Sequence, residues 1–240
     1  MFHASRPWVT TLGAIMLVLV VGFEADGLGA TESVTRDVKG FDSVVFATSG
    51  ELIVTQGDRE ALQIEARPAD LSGIVAVVRD GTLFIRWESS GPAFSLRPPV
   101  FRLSMKTITR LEALGSGTIS VRDLRTGSLR IRLSSSGGIS IGSLTADTLE
   151  ARISSSGSFT AAGTVGVQDV VLSSSGQYRA GGLASTNARI VASSSGSAIL
   201  RVAESPEANV TSSGSVRYYG NPPRVDGNVT SSGRLVRLGD

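Results

Sequence analysis

A short motif rich in serine and glycine recurs through the C-terminal half of this 240-residue chain and limits its fold more than any other feature. The motif reads GSG in its first copy, SSSG in the next four and TSSG in the last two. Its final residue falls at Gly117, Gly137, Gly157, Gly176, Gly196, Gly214 and Gly233, at spacings of 20, 20, 19, 20, 18 and 19 residues. So regular a period indicates that one structural unit is repeated along the chain.

Each repeat contains two short segments in which inward and outward positions alternate. Apolar or small residues stand six and four positions before the glycine: Leu111, Ile131, Ala151, Val170, Ile190, Ala208 and Gly227, then Ala113, Leu133, Ile153, Leu172, Ala192, Val210 and Val229. Two and four positions after it stand Ile119, Ile139, Phe159, Tyr178, Ala198, Val216 and Leu235, then Val121, Ile141, Ala161, Ala180, Leu200 and Tyr218. Alternation at period two is typical of half-buried strands. Each repeat is therefore predicted to run strand, serine-rich corner, strand and turn, with no room for a helix.

A single unit of this kind cannot bury its apolar face, whereas stacked units form a continuous core with a parallel ladder between coils. The predicted fold class is all-β, a parallel β-helix-like solenoid of 19–20-residue coils with a Ser-Ser-Gly corner in each. Seven coils would rise about 30 Å at ~4.8 Å per strand. A charged residue stands seven positions before every glycine: Arg110, Arg130, Glu150, Asp169, Arg189, Glu207 and Asp226. This column predicts that Arg130 lies over Glu150 and that Asp169, Arg189 and Glu207 follow in turn.

We interpret the corner as a structural element. Glycine turns the chain at positive φ without a steric cost, and small serine side chains can stack and bond to the backbone. The alternative is a flat hydroxyl array that binds a surface such as ice, which requires the serines to face solvent.

The N-terminal region repeats less regularly. We divide the chain into a signal peptide at residues 1–30, a β region at 31–105 that caps or begins the solenoid, and the repeat solenoid at 106–240. Strands are predicted at residues 43–46, 51–55, 61–66, 74–79 and 82–87, and Asp80-Gly81 predicts a hairpin. Ala47 to Gly50 resembles a degenerate corner, and residues 88–100 form the longest predicted loop, with Phe94 and Arg97 as its candidate contact residues.

The first thirty residues have the order of a secretory signal. His3 and Arg6 precede an apolar run from Leu12 to Phe23, and small residues follow up to Ala30. We expect a periplasmic, secreted or cell-surface protein that meets the membrane only through this segment if it stays uncleaved. The chain has no cysteine, so burial and not disulfide bonding must stabilise it.

Most enzyme classes are excluded by residue type. The segment from Gly138 to Gly142 matches the G-x-S-x-G nucleophile motif around Ser140, but Ile139 and Ile141 occupy inward columns. The one histidine, His3, lies in the signal, so Ser-His-Asp and Cys-His catalysis and histidine-ligated metal sites are excluded. We therefore assign no catalytic, metal or cofactor-binding residue, expect no cofactor, and leave the binding residues unassigned.

Carboxylate catalysis remains the alternative. Glu150 and Asp169 share one column in adjacent coils, about 5 Å apart if the register holds, and β-helices that act on polysaccharides use outer-face acids. The same column holds charges of both signs, which is typical of a solvated ladder. Nucleic acid is not expected as a partner, because the charges are scattered and interleaved in sign.

The chain resembles the head GIN domain family of auto-transporter adhesins over roughly residues 40 to 238. The resemblance rests on the recurring corner and on three short segments: Phe41-Asp42-Ser43-Val44, Gly81-Thr82-Leu83 and Tyr218-Tyr219-Gly220-Asn221-Pro222. The family usually has GSG at its corners, which only the first coil keeps here. The resemblance implies an adhesive head and supplies no functional residues.

Taken together, the sequence favours a non-enzymatic extracytoplasmic module that is adhesive or structural at the cell envelope, with a glycan or envelope component as its partner. A polysaccharide-active β-helix enzyme is the alternative. The last coil ends after Leu238, and an open edge there would allow either end-to-end pairing with a second copy or capping by a partner.

Overall fold

The computed structural model describes Val18–Leu19 and residues 31–88 and 97–240. The predicted signal peptide therefore lies outside the described residues apart from those two, and so does Phe94. The strands up to the repeat region are β1 (Val18–Leu19), β2 (Glu32–Arg36), β3 (Ser43–Ala47), β4 (Glu51–Gln56), β5 (Ala61–Ala66), β6 (Ile74–Arg79), β7 (Thr82–Trp87), β8 (Val100–Met105) and β9 (Arg110–Ala113), with one short helix, α1 (Pro68–Leu71), after β5. The repeat strands are β10 (Thr118–Leu133), β11 (Gly138–Ile153), β12 (Ser158–Leu172), β13 (Gln177–Ala192), β14 (Ser197–Val210), β15 (Ser215–Tyr219), β16 (Asp226–Val229) and β17 (Arg234–Gly239).

The repeat region is a parallel β-solenoid, as the period predicts. Each strand from β10 to β13 pairs in parallel with the next, and the corner of each coil stacks on the corner before it. The turn predicted within each coil does not end the strand. β10, for example, continues through its turn and is 16 residues long. Turns of similar length stack on one another, so most of their backbone groups also join the ladder between coils.

The inward columns form the core. The Ile119 column and the Leu133 column are buried from the first repeat to the sixth, and Phe159 stacks on Tyr178 with ring centroids 5.3 Å apart. The last coil departs from this pattern: Val229 is 41% exposed. Its expected place in the core is wrong, because no further coil of the described chain covers that end of the stack.

The charged column has the predicted register. Arg130 lies beside Glu150, Glu150 beside Asp169, and Arg189 beside Glu207. Arg130 Nε is 3.5 Å from Glu150 Oε2, and Arg189 Nε is 3.8 Å from Glu207 Oε1. Because these side chains are exposed, each pair contributes about 0.2 to 1 kcal/mol and supports register more than stability.

The spatial order of the first coils differs from their order in the chain. β3 and β4 flank the corner-like segment from Ala47 to Gly50, and pair in parallel with β9 and β10. On their other side they pair in parallel with β7 and β8, which come later in the sequence. The coil formed by β3 and β4 thus lies between two coils that are synthesised after it.

Antiparallel strands close this end of the stack. β6 and β7 form the predicted hairpin, with Asp80 at φ 47° and Gly81 at φ 71° in the turn. β5 pairs antiparallel with β8, β2 with β5, and β1 with β2. The short helix α1, which the sequence pattern does not predict, follows β5 and carries a buried Asp70 paired with Arg67 at 2.8 Å.

One buried column contains a polar residue that the sequence pattern also does not predict. Gln168 is fully buried in the column that holds Leu149 and Ala188 in the neighbouring coils. Its Nε2 donates to Ser185 Oγ at 2.8 Å, and Tyr178 donates its hydroxyl hydrogen to Gln168 Oε1. Burial raises the pKa of Tyr178 above its ordinary value. The network satisfies groups that would otherwise be costly to bury.

Candidate binding groove

The five corners from Gly157 to Gly233 make their turn at serine and not at glycine. Ser155, Ser174, Ser194, Ser212 and Ser231 have φ between 57° and 63°, in the left-handed region. None of the repeat corner glycines has a positive φ. The expectation that the corner glycine supplies the positive φ is therefore wrong.

The corner glycine is required for a different reason, which is close contact with the preceding coil. A Cβ on Gly196 would lie 2.9 Å from Leu172 Cβ, and one on Gly137 would lie 2.5 Å from the Gly117 carbonyl oxygen. Only glycine permits this approach of one coil to the next.

The hydroxyl groups of each corner divide into two kinds. The first serine is half-buried, and Ser154 Oγ and Ser193 Oγ each donate to a carbonyl oxygen of the preceding coil at 3.2 Å. The next two serines of the coil, such as Ser194 and Ser195, are exposed. The first serine of each corner therefore links adjacent coils by hydrogen bonds, and the next two serines form a narrow row that faces solvent.

The carboxylates proposed for catalysis lie together but are joined by an arginine. Glu150 and Asp169 are direct neighbours across β11 and β12. Arg152 Nη2 is 3.1 Å from Glu150 Oε1, and its Nη1 is 3.2 Å from Asp169 Oδ1. Their arrangement is that of an ion-pair ladder on an exposed face, beside an open cavity of about 500 Å³.

Ser140 does not occupy a nucleophile elbow. It lies within β11 between the buried Ile139 and Ile141, and the strand continues to Ile153 with no helix after it. Its side chain faces outward, in register with Ser120 on one side and Thr160 on the other. Ser140 therefore belongs to an outward column of small hydroxyl residues.

This column forms the floor of an open groove on the outer face of the solenoid. We define the outer groove by the residues in register across its strands: Ile53, Ser120, Ser140, Thr160 and Arg179. Its volume is about 850 Å³, and Gly142, Ala162 and Gly182 also line it. The five strands span about 19 Å at ~4.8 Å per step. Short side chains on the three central strands, at Ser120, Ser140 and Thr160, keep the groove open there, while the longer Ile53 and Arg179 lie at its two ends. Arg122 and Asp123 also line it.

A second cavity, of about 460 Å³, continues the outer groove at Arg179, which lines both. Gly181, Ile199, Arg201 and Tyr219 complete its lining. The Arg201 guanidinium lies 5.0 Å from the centre of the Tyr219 ring, and Arg201 Nε donates to the Gly181 carbonyl at 3.2 Å. We call this the end cavity.

Arg217 lies in the same outward column as Arg179, two strands further along, with Ile199 between them. Its Nε is buried and has no hydrogen-bond partner within the described ranges. We call Arg179, Arg201 and Arg217 the arginine cluster.

The remaining candidates add no site. Arg97 is exposed, while Phe94 lies outside the described residues. Within the part of the chain that the structure describes, no three His, Cys, Asp or Glu side chains are grouped so as to hold a metal ion. In the same part, no helix has the length and apolar character needed to cross a membrane.

The architecture defines a class of protein: a parallel β-solenoid with an antiparallel first end and an open groove along its outer face. A family model described as "Putative auto-transporter adhesin, head GIN domain" matches residues 40–222. The chain belongs to this family. The match ends before the last coil, whereas the resemblance seen in the sequence extends to residue 238.

Solved structures share the fold. A "putative adhesin" from Bacteroides fragilis has a TM-score of 0.82 at 22% identity, covering 87% of this chain and 97% of its own. A "putative lipid binding protein" from Parabacteroides distasonis has a TM-score of 0.71 at 22% identity, covering 89% and 99%. A "putative adhesin" from Parabacteroides merdae has a TM-score of 0.67 at 18% identity, covering 88% and 98%. No curated protein matches the chain.

Proposed function

We propose that this protein is a non-enzymatic adhesive module that acts outside the cytoplasm, at the cell envelope, and holds an extended polymer in the outer groove. The observation that carries the proposal is the groove itself, which crosses five strands in register and has short hydroxyl side chains on the three central ones. A site of this shape fits a linear ligand that runs along the solenoid axis, such as a glycan of the envelope.

The chemistry of the face supports binding by hydrogen bonds. Ser120, Ser140 and Thr160 place one hydroxyl on each successive strand, so a polymer of hydroxylated units meets a donor and acceptor at every step. Each such bond contributes about 0.5–1.5 kcal/mol, and several in a row give useful affinity with no single dominant residue.

The charged face supports a non-enzymatic role. Arg152 bonds to both carboxylates of the candidate pair, which holds them as charged partners in a ladder. The family description names an adhesin, and the signal-like N-terminal segment predicted from the sequence agrees with export.

A glycan array and an envelope pull-down test the proposal. The full-length chain is expressed with its own N-terminal segment, purified, and applied to an unbiased glycan array. In parallel it is incubated with envelope fractions that keep their lipids, because one structurally similar protein is described as lipid binding. We expect a linear glycan or envelope polymer to be retained.

A pair of matched variants locates the binding surface. Ser140→Trp fills the outer groove, whereas Ser195→Trp adds the same side chain to an exposed corner on another part of the coil. We expect only Ser140→Trp to abolish retention. Blank results in both assays, or equal loss from the two variants, would contradict a binding role for the groove.

A further inference from the structure

We infer that the polymer held by this protein is an anionic polysaccharide, whose carboxylate or sulfate groups are bound by the arginine cluster at one end of the outer groove. The inference rests on the proposed function, because it specifies the ligand of the same groove. It is carried by the charge, burial and packing of the residues around the end cavity.

Both charged residues that line the end cavity are arginines. Arg179 and Arg201 line it, and no carboxylate is among the described residues that line it. On the Glu150 face, by contrast, arginines and carboxylates alternate and pair with each other. The bonds of the end-cavity arginines go to neutral groups, since Arg179 Nη2 donates to Gln177 Oε1 and Arg201 Nε to the Gly181 carbonyl oxygen. Their charges are therefore not neutralised by these partners, in contrast to the arginines of the Glu150 face.

Arg217 extends the outward column of Arg179 beyond Ile199, next to the end cavity. Its Nε is removed from solvent yet has no hydrogen-bond partner within the described part of the chain. Leaving such a donor without an acceptor is costly, and because water does not reach the atom, a ligand oxygen would bond to it only after the Arg217 side chain turned toward the groove. Guanidinium groups also match the two oxygens of a carboxylate or sulfate better than an ammonium does.

Tyr219 adds an apolar surface beside this charge. Gly181 permits its approach, because a Cβ there would lie 3.1 Å from the Tyr219 ring. Arg201 is held in place by the ring and by the Gly181 carbonyl. An aromatic ring next to fixed cations suits a charged sugar, which presents an apolar ring face together with its acidic group.

The geometry also places the charges at a defined point on the polymer. Arg179 and Arg217 lie two strands apart in one column, about 10 Å from each other at ~4.8 Å per strand. They follow directly on the hydroxyl residues Ser120, Ser140 and Thr160. A polysaccharide in the groove would thus meet hydroxyl groups on three successive strands, the exposed Arg122 and Asp123 at the side of the groove, and arginines at one end.

Binding to three soluble polymers tests the inference. The full-length protein is titrated with polygalacturonate, which carries carboxylates, dextran sulfate, which carries sulfates, and neutral dextran. We expect at least one charged polymer to bind and neutral dextran to bind at least about tenfold more weakly, since a charge-assisted hydrogen bond contributes about 1.5–3 kcal/mol. Whichever charged polymer binds more tightly identifies the group.

Variants separate the cluster from general basic charge. Arg179→Gln, at an exposed side chain, is expected to weaken binding of the charged polymer by about tenfold, and Arg217→Gln by a similar factor. Arg132→Gln removes one exposed arginine from the Glu150 face and is the matched control, with binding unchanged. Circular dichroism confirms that each variant is folded.

The outcomes distinguish this inference from the proposed function. If Ser140→Trp abolishes binding of the charged polymer while the Arg179 and Arg217 variants bind it as the parent does, the groove is the site and the assignment of the acidic groups to the arginine cluster is refuted. Equal loss from Arg132→Gln would also refute it, since any arginine would then suffice. Failure of both charged polymers to bind overturns the inference, while the array and pull-down judge the groove separately.

Discussion

Two substitutions in one corner should change stability in opposite directions. A Cβ at Gly196 would lie 2.9 Å from Leu172 Cβ and 3.2 Å from the Ser193 carbonyl oxygen. Overpacking of this kind costs about 1–3 kcal/mol, so Gly196→Ala should be destabilising by that amount. Ser194 has φ 58°. Replacing it with glycine relieves about 1–2 kcal/mol of left-handed strain and adds about 0.5–1 kcal/mol of chain entropy in the unfolded state.

The net expectation for Ser194→Gly is a gain of roughly 0.5–1 kcal/mol in the free energy of unfolding. Urea unfolding of the full-length protein, followed by far-ultraviolet circular dichroism, measures both variants. Ser195→Gly is the matched control, because Ser195 is not among the residues of positive φ, and it should be destabilising by about 0.5–1 kcal/mol. A neutral Gly196→Ala together with a destabilising Ser194→Gly would refute this account of the corner.

Other residues give predictions that the same unfolding assay can check. Gly163→Ala should be more damaging than Gly196→Ala, because Gly163 has φ 120° and its added Cβ would lie against the Leu144 carbonyl. Tyr178→Phe should cost about 1–3 kcal/mol at neutral pH, since it leaves Gln168 Oε1 buried without a donor. The raised pKa of Tyr178 means that above about pH 10 the unfolded chain ionises there and the folded chain does not. Stability should therefore fall as the pH rises past that value, and fall less in the Tyr178→Phe variant. Arg152→Ala should cost below about 1 kcal/mol, and less in high salt, because its ion pairs are exposed; a larger loss would show that the ladder is a principal source of stability.

The solenoid could be predicted because its repeat is simple. The inward columns, such as that of Ile119, can be predicted from the two-residue period of a strand alone. The pairing of Arg130 with Glu150 follows because both residues stand seven positions before a corner glycine. The strands from β3 to β7 were predictable within one residue for the same reason. In each case a local pattern determines which face is buried.

The features that were missed or wrong depend on contacts between coils. The corner glycine is required by its contact with the preceding coil, which the sequence of a single repeat does not show. The general preference of glycine for positive φ therefore predicted the wrong residue for the turn. The exposure of Val229 depends on what covers the last coil. Gln168 looks like an exception in an apolar column until Tyr178 and Ser185 are seen to surround it.

The outer groove was not predicted either, although its signal is present in the sequence. The third residue after each corner glycine includes Ser120, Ser140 and Thr160, which are small and outward-facing. In a hydropathy pattern they mark only the spaces between the apolar columns. Reading the outward columns for side-chain size, as well as the inward ones for hydropathy, would have found the groove floor.

Because the coils stack in register, the number of coils determines the length of the outer groove. Adding or removing one coil between β10 and β14 would change the length of the groove by one step of about 4.8 Å and leave both ends unchanged. At the first end this is not feasible, since β3 and β4 lie between strands from two later parts of the chain. If the proposed function holds, relatives with more or fewer coils would bind longer or shorter stretches of a polymer, and the number of coils would set the ligand length without a change in binding chemistry.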